Sequence, residues 1–182
     1  SACLLAPHRN QPLTQEEIAQ QLMEHLRAER VVWLDHGILE GDDTDGHIDT
    51  IVRCAPDDTL VYVGCDDVSD RQYGTFRQLE EQLRSLRTLE GAPYRLIRLP
   101  MPRAIYEDDY RLPATYANFL VINGLVVYPT YAQADNDQAA LAALRQAFPG
   151  YQFAGIDART IIRQHGSIHC LTMQMFSGSR GQ

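Results

Sequence analysis

Leu120-Val121-Ile122-Asn123-Gly124-Leu125-Val126-Val127-Tyr128-Pro129 consists of two apolar runs meeting at an Asn-Gly dipeptide. Asn and Gly tolerate the positive φ angles that a tight hairpin requires. Tyr116–Ile122 and Leu125–Pro129 are therefore expected to pair as antiparallel strands. Asn136 or Asp137 then caps a helix running to Phe148, Pro149-Gly150 ends it, and Gln152–Asp157 reads as a closing strand.

The same order occurs upstream. Ile48–Ala55 and Thr59–Gly64 read as strands joined by the Pro56-Asp57-Asp58 turn. Tyr73, Phe76, Leu79, Leu83 and Leu86 recur at helical spacing, Gly91 and Pro93 stop that helix, and Arg95–Leu99 supplies another strand. Strand–strand–helix–strand thus appears twice, roughly sixty residues apart, which predicts a repeated α/β architecture. The units span about 48–99 and 116–157 of one domain over 1–182. Before them, Thr14-Gln15-Glu16-Glu17 forms a capping box for a helix whose apolar face is Ile18, Leu22 and Leu26, followed by a short strand at Val31–Leu34. Cys3-Leu4-Leu5 reads as a strand already under way, and the small polar tail Ser177–Gln182 as disordered.

The chain has 182 residues with 45% hydrophobic and 22% charged, enough for one real core. Its longest apolar run, Phe119–Pro129, is broken by Asn123-Gly124, so no membrane partner is expected. Leu4 and Leu5 run at once into Pro7, His8 and Arg9, which does not read as a secretory signal and predicts a cytoplasmic location. A net charge of −8, with no lysine, argues against a nucleic-acid partner and suits a cationic substrate. Cys3, Cys54, Cys65 and Cys170 form no CxxC pair, so Cys54 and Cys65 read as structural.

Two short motifs carry chemistry: Gly46-His47-Ile48-Asp49, and the cysteine of Gly166-Ser167-Ile168-His169-Cys170. On a strand His47 and Asp49 would share a face, whereas His169 would point away from Cys170 and serve as support. The bland readings are a core or capping histidine, a turn aspartate and a buried thiol. Asp42, Asp43 and Asp45 read as a solvated acidic turn, because the EF-hand pattern fails with Gly41 and Val52 where acidic ligands belong. Arg159 and Arg163 are solvated or bind a carboxylate, and Trp33 belongs to the core rather than to a substrate platform.

Four ordered segments are similar to the agmatine deiminase and bacterial-type (Porphyromonas-type) peptidylarginine deiminase family. They are Cys3-Leu4-Leu5-Ala6-Pro7-His8-Arg9-Asn10, Gly41-Asp42-Asp43-Thr44-Asp45-Gly46-His47-Ile48-Asp49, Leu112-Pro113-Ala114-Thr115-Tyr116-Ala117-Asn118-Phe119, and Gly155-Ile156-Asp157-Ala158-Arg159 through Ile168-His169-Cys170. The resemblance implies a pentein fold, an α/β propeller of ββαβ units, of which this chain is roughly the C-terminal half. It implies Cys170, in a segment spanning 158–176, as the nucleophile on a guanidinium carbon. His47 becomes the proton donor and base, and Asp49 the carboxylate that grips the guanidinium. Gly46 allows close approach of the backbone to substrate, and Asp43 reaches the distal amine. No cofactor is implied. Two features depart from the family. An Arg-Asp motif and a glutamate that help grip the substrate have no counterpart here, and Gln164-His165 stands where more glycine is usual.

The expected reaction is hydrolysis of agmatine to N-carbamoylputrescine and ammonia, with peptidyl- or free arginine as the alternative substrate. A metal-dependent hydrolase built on His47 and Asp49 lacks a third ligand at a recognisable spacing. A third reading is an inactive fragment. Expected partners are a small cationic guanidino substrate, and either a homo-oligomer or the missing N-terminal half.

Overall fold

The computed structural model describes residues 1–175. Two strand–strand–helix–strand units make up about half of it. In the first, β1 (Val52–Ala55) pairs antiparallel with β2 (Thr59–Gly64). The chain crosses back through α3 (Tyr73–Ser85) and β3 (Arg95–Pro100) pairs parallel to β2. Every residue of β2 is buried, as a central strand covered on both faces requires. Phe76, Leu79 and Leu83 are the buried stripe of α3, each contributing about 2 kcal/mol through apolar burial.

A two-stranded hairpin follows, β4 (Tyr106–Glu107) with β5 (Tyr110–Arg111), which no sequence signal marked. The second unit then repeats the first. β6 (Leu120–Ile122) pairs antiparallel with β7 (Leu125–Thr130), and β8 (Gln152–Asp157) returns parallel to β7 after α4 (Ala134–Ala147). Asn123 and Gly124 have φ of 50° and 79°, the pair of left-handed residues the hairpin demands.

Several boundaries differ from expectation, each for a local reason. Ile48–Thr50 is a 3-10 turn rather than the start of a strand, because Thr50 Oγ1 donates to the His47 carbonyl at 2.7 Å and closes the turn. Tyr116–Phe119 is buried but unpaired, since its polar groups bond to side chains and to the segment near Cys170. Asn136 and Asp137 do not cap α4, which starts at Ala134. The Asp137 carboxylate reaches back instead, accepting from the backbone N–H of Tyr131 and Gln133 at 3.0 Å each and from the Tyr116 hydroxyl at 2.6 Å.

At the N-terminal end, Ala2–Leu5 forms a short helix, α1, instead of a strand. α2 (Gln15–Leu26) has the full Thr14–Glu17 capping box, but its apolar face is only partly covered: Ile18 is buried and Leu26 is 71% exposed. Val31–Leu34 pairs with no strand. The Gln82 amide on α3 bonds the backbones of Trp33 and Asp35, and Thr75 accepts from the Gly37 N–H, so side chains take the place of a ladder. Trp33 is half-buried beside a cleft, outside the core. Cys65 is buried, whereas Cys54 is exposed. The expectation for Ser177–Gln182 lies outside the described residues, among which no helix is long and apolar enough to cross a membrane.

Gly41 has φ of 90°, and a Cβ there would lie 2.4 Å from the Arg111 carbonyl oxygen; Gly91 has φ of 85° with open space around it. Gly91→Ala is expected to cost about 1 kcal/mol of backbone strain. Gly41→Ala should cost at least about 2 kcal/mol more through the backbone collision. Urea unfolding of the two variants isolates the collision term.

Candidate active site

Asn118 is fully buried, so both ends of its amide must find partners. Its Nδ2 donates to Asp49 Oδ2 at 2.9 Å and lies 3.3 Å from Cys170 Sγ. Its Oδ1 accepts from the backbone N–H groups of His169 at 2.9 Å and Cys170 at 3.2 Å. Next to it, Thr115 Oγ1 donates to the Thr50 carbonyl at 2.7 Å and accepts from the Ala117 N–H. One run of buried side chains therefore joins the 3-10 turn carrying Asp49 to the turn carrying Cys170.

Cys170 lies in a second 3-10 turn, His169–Leu171, with Sγ 3.7 Å from Asp49 Oδ2. His169 is more than remote support. Its Nδ1 lies 2.7 Å from Asp49 Oδ2, because successive residues of a 3-10 turn are about 120° apart rather than on opposite faces. The strand argument for His47 and Asp49 fails for the same reason, since His47 caps one turn and Asp49 lies inside it. Both still line one hollow.

That hollow, of about 470 Å³, has two walls. Asp42, Asp43, Thr44, His47 and Asp49 form one; His165, Gly166, His169 and Cys170 belong to the other. A larger apolar cleft of about 570 Å³ lies beyond, sharing His47, Asp49 and His169 and lined also by Trp33 and Gly46. Cys170 lines the smaller space and not the larger. Asp43 is exposed, whereas Asp42 buries Oδ2 with no partner among the described residues. Gly46 has φ of 85°, and a Cβ there would meet only Ile38 at 3.5 Å, so the left-handed turn is what requires glycine. The acidic loop is held from outside by Arg9, which donates to the Thr44 carbonyl at 3.0 Å, and by ion pairs of His8 and Arg9 with Asp45.

Burial disfavours a charge on Asp49, but the His169 bond, the Arg53 guanidinium and the Asn118 amide outweigh it and hold the carboxyl below its ordinary pKa. Cys170 goes the other way. Burial pushes its thiol pKa up, and the Asp49 carboxylate, as neighbouring charge and acceptor, adds to the rise. Arg53 sits behind the pair, donating to the Phe119 carbonyl at 2.6 Å and stacking over its ring. Arg159 pairs with Asp157 and Arg163 with Glu107, so neither stands free for a substrate carboxylate. Among the described residues no cluster of three or more His, Cys, Asp or Glu is arranged to hold a metal.

Comparison with known proteins adds the following. The family model described as Porphyromonas-type peptidyl-arginine deiminase matches residues 1–175. A Vibrio parahaemolyticus protein named "Putative agmatine deiminase" is 35% identical over 190 residues, covering 95% of this chain and 52% of its own. The crystal structure of the "Putative Arginine Deiminase" from Porphyromonas gingivalis superposes with a TM-score of 0.94 at 48% identity, over 97% of this chain and 52% of the other. C. jejuni C315S agmatine deiminase with substrate bound gives 0.85 at 36% identity, over 93% of this chain and 49% of the other. The chain spans about half the length of the curated relatives it matches.

Asn118→Ala leaves the Cys170 N–H without its partner and is expected to cost about 2–4 kcal/mol in urea unfolding. Asp49→Asn removes the charge that favours the protonated thiol. The pH midpoint of Cys170 alkylation by iodoacetamide should therefore fall relative to the unaltered chain.

Proposed function

We propose a function from one premise: the chain belongs to the Porphyromonas-type peptidyl-arginine deiminase family. Its fold is that of the penteins, and the two units described above are two of the repeats. The proposed activity is hydrolytic deimination of a guanidinium, with agmatine giving N-carbamoylputrescine and ammonia in the cytoplasm. The observation that carries it is Cys170 Sγ held 3.3 Å from Asn118 Nδ2 and 3.7 Å from Asp49 Oδ2 at the edge of an acidic hollow. A soft nucleophile beside a carboxylate and a histidine suits attack on a cationic planar carbon better than it suits attack on a neutral carbonyl.

In this reading the Cys170 thiolate adds to the guanidinium carbon. His47 gives a proton to the departing nitrogen, ammonia leaves, and a thiouronium remains on sulfur. Water then adds to that carbon with His47 as base, the C–S bond breaks, and a ureido product and the free thiol result. Asp49 grips the guanidinium through one oxygen. Its Oδ2 already meets Asn118 and His169, which leaves Oδ1 to accept a guanidinium N–H. Asn118 joins the set as the donor that holds both Asp49 and Cys170. The raised thiol pKa has a chemical consequence, because a bound guanidinium supplies the positive charge that the free site lacks. Substrate binding and thiol ionisation are then linked, each favouring the other.

Asp43, together with the unpartnered Asp42 Oδ2, is proposed to receive the distal amine of agmatine. The apolar cleft past His47 and Asp49 favours a second reading, in which peptidyl- or free arginine is the substrate and the cleft takes its larger remainder. A reading of another class follows from the span of the chain: alone it is an incomplete, inactive site that works when joined to the other half of a full-length relative, or as an oligomer.

The test is ammonia release from agmatine without added metal, by this chain and by a version extended to the length of its relatives. The extended protein is expected to be active, and Cys170→Ala to lower the rate at least about 1,000-fold. Unchanged turnover in that variant would remove Cys170 from its role.

A further inference from the structure

The two walls of the reaction hollow are joined at both ends. At the reacting end the links are Asn118, His169 and Cys170 to Asp49. At the other end His165 Nδ1 donates to the Gly41 carbonyl at 3.2 Å, across from the loop that carries Asp42 and Asp43. The Tyr110 hydroxyl donates to the same carbonyl at 3.3 Å, and its ring meets the His165 ring edge-on with centroids 5.3 Å apart. Arg163, just before, pairs with Glu107 on the same β4–β5 hairpin. The hairpin itself is anchored from behind, because the buried Arg111 makes a bidentate pair with Asp70 at 2.9 and 2.7 Å. His165 adopts φ of 67°, a left-handed conformation disfavoured for a residue with a Cβ. His165 ends the 3-10 turn Ile161–Gln164, and if closing that turn were its whole task, glycine would serve better. The imidazole does something glycine cannot do, which is to bond the opposite wall.

We propose that His165, backed by Tyr110, is the clasp that fixes the spacing between the acidic loop and the nucleophile segment, and so selects the length of cationic substrate accepted. This rests on the guanidinium reading for its choice of probes. A substrate bridging the two ends places its reacting carbon at Cys170 and its distal charge at the acidic loop. A clasped gap then accepts one chain length over its neighbours. His165 and Tyr110 are positioning residues and take no part in bond making.

The experiment measures protection of Cys170 from iodoacetamide, read at that residue by mass spectrometry. The protectants are agmatine and its homologues with one methylene fewer or more. The unaltered chain should prefer one length by about 10-fold, within the range one methylene commands in a shaped site. His165→Gly relieves the backbone strain but loses the bond, and should reduce that preference to about 2-fold or less. His165→Asn tolerates the left-handed conformation and places an N–H where Nδ1–H stood, so it should retain the preference. In parallel, hydrogen exchange in 41–46 and 164–170 should quicken about 10-fold in His165→Gly with α3 unchanged.

A glycine variant that keeps both the preference and the slow exchange would overturn the proposal. So would an asparagine variant no better than glycine. If no guanidine protects Cys170 in the unaltered chain, the length selection falls; the deiminase reading falls with it only if the extended protein also releases no ammonia from agmatine. Faster exchange in His165→Gly would then still establish the clasp itself.

Discussion

Burying an amide is costly unless each of its polar atoms is bonded, and Asn118 turns that cost into geometry. Its nitrogen faces Asp49 and Cys170 while its oxygen takes two consecutive backbone N–H groups from the segment bearing the thiol. The positions it joins are 69 and 52 residues away along the chain. Moving either turn would strand a buried donor or acceptor, so the separation of carboxylate and sulfur depends on one side chain that is itself locked by its neighbours. Thr115, Tyr131 and Asp137 extend this buried network to the second unit, where Tyr131 both donates to and accepts from the Thr115 backbone. The site is therefore built across the two repeats, not within one.

The electrostatics follow from that placement. Asp49 is held below its ordinary pKa because His169, Arg53 and Asn118 compensate its charge, while burial, with that charge adding to it, raises the pKa of the neighbouring thiol. A cation placed between the two groups would oppose that rise, as the proposed function requires. His165 and Tyr110 of the β4–β5 hairpin bond the Gly41 carbonyl beside the acidic loop.

Legibility differed sharply among residues. The Asn123-Gly124 turn, the stripe Phe76, Leu79 and Leu83, and the Thr14–Glu17 capping box are local effects, and each was readable from a few neighbouring residues. The boundaries at Thr50, Tyr116 and Asp137 were not, since in each case a side chain drew the backbone out of the regular pattern. His169 was misread through an assumed strand. Asn118 stood in plain view within Leu112–Phe119 but had no chemical signature, because an asparagine becomes part of a site only through what packs around it.

The sequence by itself determined the repeated strand–strand–helix–strand order and singled out Cys170, His47 and Asp49 as candidates, because turn chemistry, apolar periodicity and reactive side chains are written within short windows. Only the tertiary structure decided that Asn118 and His169 share one oxygen of Asp49, that Asp42 rather than Asp43 buries an oxygen with no partner among the described residues, and that His165 bonds the Gly41 carbonyl. The bonds among these facts span 69 to 124 residues of chain. No local rule reports such bonds, since their partners meet only after the core has set the distance between them.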